Sequence, residues 1–198
     1  MKKICSILLA ICILISCGKK DDVTGQTAGP TPVQQVQSLA PQAVIGLYKE
    51  VDSLIQIGRP NLEKTQQFAE QAASYAEANP EDTLSPKFLL QAGICQRVVA
   101  FSTSAKEKRD ELALKAISYL DRLRNHYPDY KNLDYALFQK GQILEQLGRW
   151  KDAKETYCEI VTRFPKSELG KNMAEYIKMS GYTKSAEEIY QGFHDQKK

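Results

Sequence analysis

The sequence predicts an all-α protein made of about four antiparallel helix pairs. Apolar residues recur three and four positions apart, as in Leu112, Ala116, Leu120 and Leu123, and this spacing builds one face of an α-helix. Prolines and glycines separate such segments at regular intervals. No run of alternating Val, Ile and Thr bounded by Asn-Gly or Asp-Gly indicates a β-sheet.

Prolines and glycines set the limits of eight predicted helices. Proline cannot continue a helix, and glycine readily takes the left-handed conformation wanted at a helix end. These markers are Gly58, Pro60, Pro80, Pro86, Pro128, Gly148, Pro165 and Gly181. The predicted helices span residues 41–57, 62–79, 86–102, 108–126, 133–147, 150–164, 168–179 and 183–194.

The start of the chain has the order of a secretory signal. Lys2 and Lys3 give it a basic beginning, residues 4–15 are almost entirely apolar, and the small Ser16 precedes Cys17. The apolar run is too short to span a bilayer as a helix. We therefore expect export, with residues 1–16 as the signal peptide.

Leu14-Ile15-Ser16-Cys17 resembles the lipobox of bacterial lipoproteins. The resemblance implies that Cys17 receives a diacylglyceryl group and that its amine is acylated after cleavage. Each CH₂ group buried in the bilayer contributes roughly 0.8 kcal/mol of binding free energy. One acyl chain therefore binds a membrane only marginally, whereas several chains anchor a protein stably. Cys17 is thus the predicted lipid attachment site, and the alternative is a plain signal peptide with a chance cysteine.

The residues after Cys17 predict a tether and a location. Residues 17–40 contain Gly, Pro, Thr and Gln and few large apolar groups, so they predict a flexible segment. Gly18, rather than Asp, after the lipidated cysteine favours the outer over the inner membrane if the sorting rule of enteric bacteria applies, and we expect the periplasmic face of the outer membrane. Lys20-Asp21-Asp22 resembles the charged export tags of surface lipoproteins in Bacteroidetes, so the cell surface is the alternative.

Composition and motifs exclude several functions. The chain has 27 Lys and Arg against 24 Asp and Glu, and no basic stripe with interleaved aromatics predicts a nucleic-acid partner. No G-x-S-x-G elbow surrounds a Ser. His126 and Asp129 share one turn, which more often indicates a surface hydrogen bond than a metal site. We expect no enzyme, no cofactor and no metal.

Cys95 and Cys158 are the two cysteines after Cys17. They could form a bridge in an oxidising envelope. Both lie in apolar helical segments of different pairs, where a thiol usually fills a core as a small hydrophobe. We expect two unpaired, buried thiols, with the bridge as the alternative.

The helix pairs also contain an internal repeat. Residues 148–157 and 181–190 align at an offset of 33 residues, close to the 34 of the tetratricopeptide repeat. Residues 134–165 resemble that repeat position by position. The resemblance implies close helix contact at Gly141, inner-face packing at Leu144, a turn at Gly148, close approach at Ala153, packing between helices at Tyr157 and closure at Pro165.

The resemblance is weaker outside this unit but extends over residues 41–194. Leu137 and Lys140 stand where the family usually has Trp and Leu. The second unit has Gly93 at the small position, with about eleven extra residues around 101–108 before its second helix. The implied fold is an α-solenoid of about four tetratricopeptide-like pairs, which forms the domain 41–194.

In tetratricopeptide arrays the first helix of each pair lines a concave groove that binds a partner peptide. The resemblance therefore implies aromatic anchors at Tyr135 and Phe138, and carboxylate-pairing cations at Arg97 and Lys178. The other groove candidates are Lys87, Leu90, Ile94, Gln142, Glu145, Lys171 and Glu175. The alternative is that these residues form ordinary surface and inter-helix packing.

Two closing motifs, at residues 126–129 and 163–167, resemble those of bacterial envelope tetratricopeptide proteins. Among these are the lipoprotein of the outer-membrane assembly machinery and the periplasmic Tol-Pal coordinator. We expect a non-catalytic, membrane-anchored scaffold that binds another envelope protein. The alternative is a lipoprotein that holds a small peptide or glycan between its helices.

Overall fold

The computed structural model describes residues 40–178 and Tyr182. They belong to one compact unit and form seven α-helices, with no strand among them. The helices are α1 (Pro41–Gln56), α2 (Leu62–Ala78), α3 (Ser85–Phe101), α4 (Lys106–His126), α5 (Leu133–Gln146), α6 (Trp150–Arg163) and α7 (Glu168–Lys178). Within this part of the chain, no helix has the length and apolarity to cross a membrane.

The all-α fold class is confirmed, and the first seven predicted helices match α1–α7 to within two residues at each end. The predicted eighth helix at 183–194 lies outside the described residues. So do the predicted signal peptide, Cys17 and the tether as far as residue 39.

Alternate helices lie on opposite sides of the array. Each helix packs along the next one in the chain, and α5 also contacts α3 and α7. We call the side formed by α1, α3, α5 and α7 the odd-helix face, and the side formed by α2, α4 and α6 the even-helix face. The described chain is thus an α-solenoid of antiparallel pairs, as predicted.

Two glycines let paired helices approach closely. A Cβ added to Gly141 on α5 would lie 2.1 Å from Cε1 of Tyr157 on α6. At the equivalent place in the previous pair, a Cβ on Gly93 would lie 2.6 Å from Cδ2 of Leu120. Real Cβ contacts are not this short, so each glycine provides space for a large side chain. The predicted roles of Gly141 and Tyr157 are confirmed.

The turns after the even helices share one geometry. Asn79, Tyr127 and Phe164 end α2, α4 and α6 with φ of −133°, −131° and −126° and ψ of 62°, 61° and 49°. Each precedes a proline, which disfavours helical backbone in the residue before it. The carbonyls of these three residues accept hydrogen bonds from the backbone N–H groups of Asp82, Tyr130 and Ser167. The first pair is therefore built like the others here, although its sequence match is weak.

The extra residues of the second pair lengthen its helices rather than its loop. α3 continues eight residues past Gly93, whereas α5 continues five past Gly141. α4 has fourteen residues before Leu120, whereas α6 has seven before Tyr157. Only residues 102–105 separate α3 from α4, so most of the predicted insertion is helix.

The two cysteines differ in their surroundings. Both thiols are free, which confirms the expectation that they are unpaired. Cys95 is buried, but Cys158 is exposed, so its predicted burial is wrong. The buried stripe of α6 contains Ala153, Tyr157 and Ile160, and Cys158 lies about 100° around the helix from Tyr157.

We expect Gly141→Ala to lower the free energy of unfolding by about 1–3 kcal/mol, the usual cost of overpacking a filled core. The new methyl group would overlap the ring of Tyr157, which is only 1% exposed. Phe138 and Tyr176 flank that ring, so it cannot retreat easily. Urea denaturation of the full chain measures the change.

Gly46→Ala is the matched control for this substitution. A Cβ at Gly46, inside α1, meets no atom within 4 Å. Alanine is favoured over glycine in a helix interior, so this variant should gain roughly 0.5–1 kcal/mol. Equal effects of the two substitutions would contradict the close approach at Gly141.

Candidate functional site

The odd-helix face carries an exposed aromatic pair. Tyr135, near the start of α5, is 40% exposed. It stacks on Phe138 with ring centroids 6.5 Å apart and planes 30° apart. Phe138 is half-buried and packs in turn against Tyr157, with centroids 6.3 Å apart. The exposed ring therefore rests on side chains that continue into the core.

Next to this pair, Arg97 reaches from α3 to three glutamines of α5. Its Nη1 donates to Oε1 of Gln139 at 2.7 Å and to Oε1 of Gln142 at 2.9 Å. Its Nε donates to Oε1 of Gln146 at 3.4 Å. Desolvation by burial lowers the pKa of Arg97, and the nearby Tyr135 and Tyr157 act in the opposite direction. The guanidinium thus lies in a partly desolvated site and donates its hydrogen bonds to neutral amide oxygens.

A second polar contact joins α5 to α7. The hydroxyl of Tyr176 donates to Oε1 of Glu145 at 3.0 Å. Burial raises the pKa of Tyr157 well above its usual range, and the nearby charge of Glu145 adds to that effect. Tyr157 and Tyr176 meet edge to face with centroids 5.7 Å apart. The carboxylate of Glu145 therefore already interacts with tyrosines of this chain.

The structure brings together only some of the predicted groove residues. Arg97, Gln142, Tyr135 and Phe138 lie where α3 meets α5, and Glu145 lies where α5 meets α7. The remaining charged candidates are all exposed and belong to α3 or α7, namely Lys87, Lys171, Glu175 and Lys178. In the described part of the chain these four make no ion pair.

Two apolar candidates take part in packing. Leu90 is 3% exposed and belongs to the main hydrophobic core, so its assignment to the groove is wrong. On α3 the exposed Lys87 and the half-buried Gln91 and Ile94 follow at intervals of four and three residues, so they share one face of the helix. Leu90 lies to one side of that face and points into the core. Ile94 is partly buried and packs against the same core.

Three contributors to this face were not predicted. Gln139 and Gln146 complete the set around Arg97, and Tyr176 binds Glu145. Gln139, Gln142 and Gln146 follow at intervals of three and four residues, so they share one face of α5. The sequence spacing could therefore have shown that the three glutamines lie together on α5. It could not have shown that Arg97 binds them, because that contact depends on how α3 packs against α5.

Two cations of α4 pair with carboxylates on the neighbouring even helices. Lys115 on α4 pairs with Glu70 on α2 at 2.7 Å, and Arg124 on α4 pairs with Glu159 on α6 at 2.8 Å. Exposed pairs of this kind contribute little energy. Within residues 40–178, no three His, Cys, Asp or Glu side chains come together as metal ligands.

Residues 135–167 match the family model of the tetratricopeptide repeat. This segment covers α5, α6 and the turn that follows them, and it coincides with the unit predicted at 134–165. A comparison with curated proteins finds no match for the chain. Repeats of this family generally form protein-binding surfaces, and their helical fold is typically non-catalytic. The described chain is therefore an α-solenoid in which residues 135–167 match the tetratricopeptide repeat and carry the exposed aromatic pair.

Proposed function

We propose that the protein is a membrane-anchored, non-catalytic scaffold whose odd-helix face binds another protein of the bacterial cell envelope. The observation that carries this proposal is the stacked pair Tyr135 and Phe138 on α5. Large aromatic side chains dominate the binding energy of many protein interfaces. This pair lies within the matched repeat, on helices that line the binding groove in tetratricopeptide arrays.

The environment of Tyr135 suits a binding anchor. Among the other exposed large apolar side chains of the described residues, Leu62, Leu114 and Trp150 lie on even helices and Ile57 caps the end of α1. The ring of Tyr135 stacks on Phe138, and Phe138 packs in turn against the buried Tyr157. A side chain held in place before binding loses less entropy on association. Tyr135 can therefore bury its ring against a partner at low cost.

Attachment to the membrane is the second part of the proposal. It is supported by the lipobox-like Leu14-Ile15-Ser16-Cys17 and by the basic, apolar segment before it. An acylated Cys17 followed by about twenty polar residues would hold the repeat array close to a bilayer. We propose the periplasmic face of the outer membrane, with the cell surface as the alternative.

We expect the double variant Tyr135→Ala, Phe138→Ala to lose its protein partner. Affinity-tagged full chain would be recovered from detergent-solubilised membranes, and co-purifying proteins would be quantified by mass spectrometry. Truncation of interface anchors commonly costs about 2 kcal/mol or more, which corresponds to at least a tenfold loss. Tyr135→Ala alone provides a second test, because its ring contributes less to the core.

The matched control is Leu114→Ala with Trp150→Ala, which removes exposed apolar side chains from the even helices. It should keep the partner, and thermal melting should show all variants folded. An equal loss of the co-purifying partner in both double variants would contradict the assignment of the binding site to the odd-helix face. The absence of any partner, together with a thermal shift caused by a glycan or short peptide, would favour the small-ligand alternative instead.

We expect Cys17→Ser to move the protein out of the membrane fraction, because serine lacks the sulfur that accepts the diacylglyceryl group. Fractionation followed by immunoblotting measures this. A Cys158→Ser variant controls for loss of a thiol elsewhere, since Cys158 is a free, exposed thiol. A Cys17→Ser protein that stays in the membrane fraction would contradict lipid anchoring at this residue.

A further inference from the structure

We propose that Arg97, Gln142 and Gln146 form a receptor for an acidic side chain, Asp or Glu, of the protein segment bound on the odd-helix face. This inference rests on the proposed function, because it assumes that the face binds a protein. It adds the chemistry of the bound segment, which must place a carboxylate next to an apolar residue.

The first support is the missing counter-charge at Arg97. Among the described residues, the other arginines on helices or at a helix cap have a carboxylate within 4.0 Å: Arg109, Arg122, Arg124, Arg149 and Arg163. Arg59 also lacks one, but it is exposed in the loop after α1. Arg97 is half-buried and has no such partner in the same part of the chain. A partly desolvated cation without an anion is unfavourable, so a carboxylate from another molecule would be stabilised here.

The second support is the orientation of the glutamines. A guanidinium has only donors, so the side-chain oxygens of Gln142 and Gln146 must face Arg97, as they do. Their amide nitrogens make no hydrogen bond to a described residue. Nη2 of Arg97 likewise makes none. The cluster therefore combines a positive charge with unused N–H donors, which is complementary to a group that only accepts hydrogen bonds.

The third support is the apolar neighbour. Phe138 and Gln142 are four residues apart on α5, so their side chains lie on the same face about one turn apart. Tyr135 extends the apolar surface by stacking on Phe138. A bound segment that pairs with Arg97 would thus place an adjacent apolar side chain against these rings. Arginine and aromatic anchors side by side are typical of interface hot spots.

A peptide library tests this inference. Random dodecapeptides would be displayed on phage with their C-termini fused to the coat protein, so that no free terminal carboxylate is offered. The bait is the purified full chain in detergent. We expect selected peptides to be enriched in Asp or Glu beside an aromatic or aliphatic residue. Their affinity should fall about tenfold or more with Arg97→Gln and less with Arg97→Lys, which keeps the charge.

A double-mutant cycle between Arg97 and the peptide acid measures their interaction separately from any small change in fold that a substitution causes. The acid of a selected peptide would be replaced by its amide, Asp by Asn or Glu by Gln. This change should weaken binding to the wild-type chain about tenfold and cause little further loss with Arg97→Gln, because coupled groups are not additive. Arg59→Gln is the matched control for removal of one positive charge and should bind like the wild type.

The outcomes separate this inference from the proposed function. Selected peptides that depend on Tyr135 but show no acidic preference, or that bind Arg97→Gln as well as wild type, overturn the receptor and leave the protein-binding face standing. If no peptide is selected by the wild-type chain, the receptor is overturned, and the pull-down of the full chain decides separately whether the odd-helix face binds a protein.

Discussion

The close approach of paired helices at a glycine is the contact on which the rest of the array depends. Gly141 lets the ring of Tyr157 lie directly against the backbone of α5, and Gly93 does the same for Leu120 against α3. Such tight packing fixes the distance within a pair, because filled cores resist changes of even one methyl group. Successive pairs are then linked at their turns: the carbonyl of Pro80 accepts from the hydroxyl of Tyr127, and that of Pro128 accepts from Arg163.

Tyr157 connects this packing to the candidate site. Its ring contacts Phe138, which supports the exposed Tyr135, and it meets Tyr176, whose hydroxyl binds Glu145. The same residue that sets the spacing of α5 and α6 therefore also fixes the aromatic surface on the odd-helix face. This arrangement explains how helices packed side by side can hold rigid anchors at their surface. It also means that substitutions at Gly141 are expected to disturb the site as well as the fold.

Features that depend on local sequence could be predicted, and features that depend on helix register could not. Helix limits were predicted well because prolines and glycines act within a few residues. Gly141 and Tyr157 were assigned correctly because their repeat matches a known spacing. The partners of Arg97 were missed, since they are set by how the long α3 lies against α5. Leu90 and Cys158 were misassigned because one residue along a helix turns a side chain by about 100°.

The central claim is that partners bind on the odd-helix face, and site-specific photo-crosslinking in cells tests it most directly. A photoreactive phenylalanine analogue would replace Tyr135 on α5 in one variant and Leu114 on α4 in another. These positions are 40% and 48% exposed, so their accessibility is matched. We expect a discrete crosslinked protein from position 135 and none from position 114. A discrete product from position 114 alone would contradict the claim.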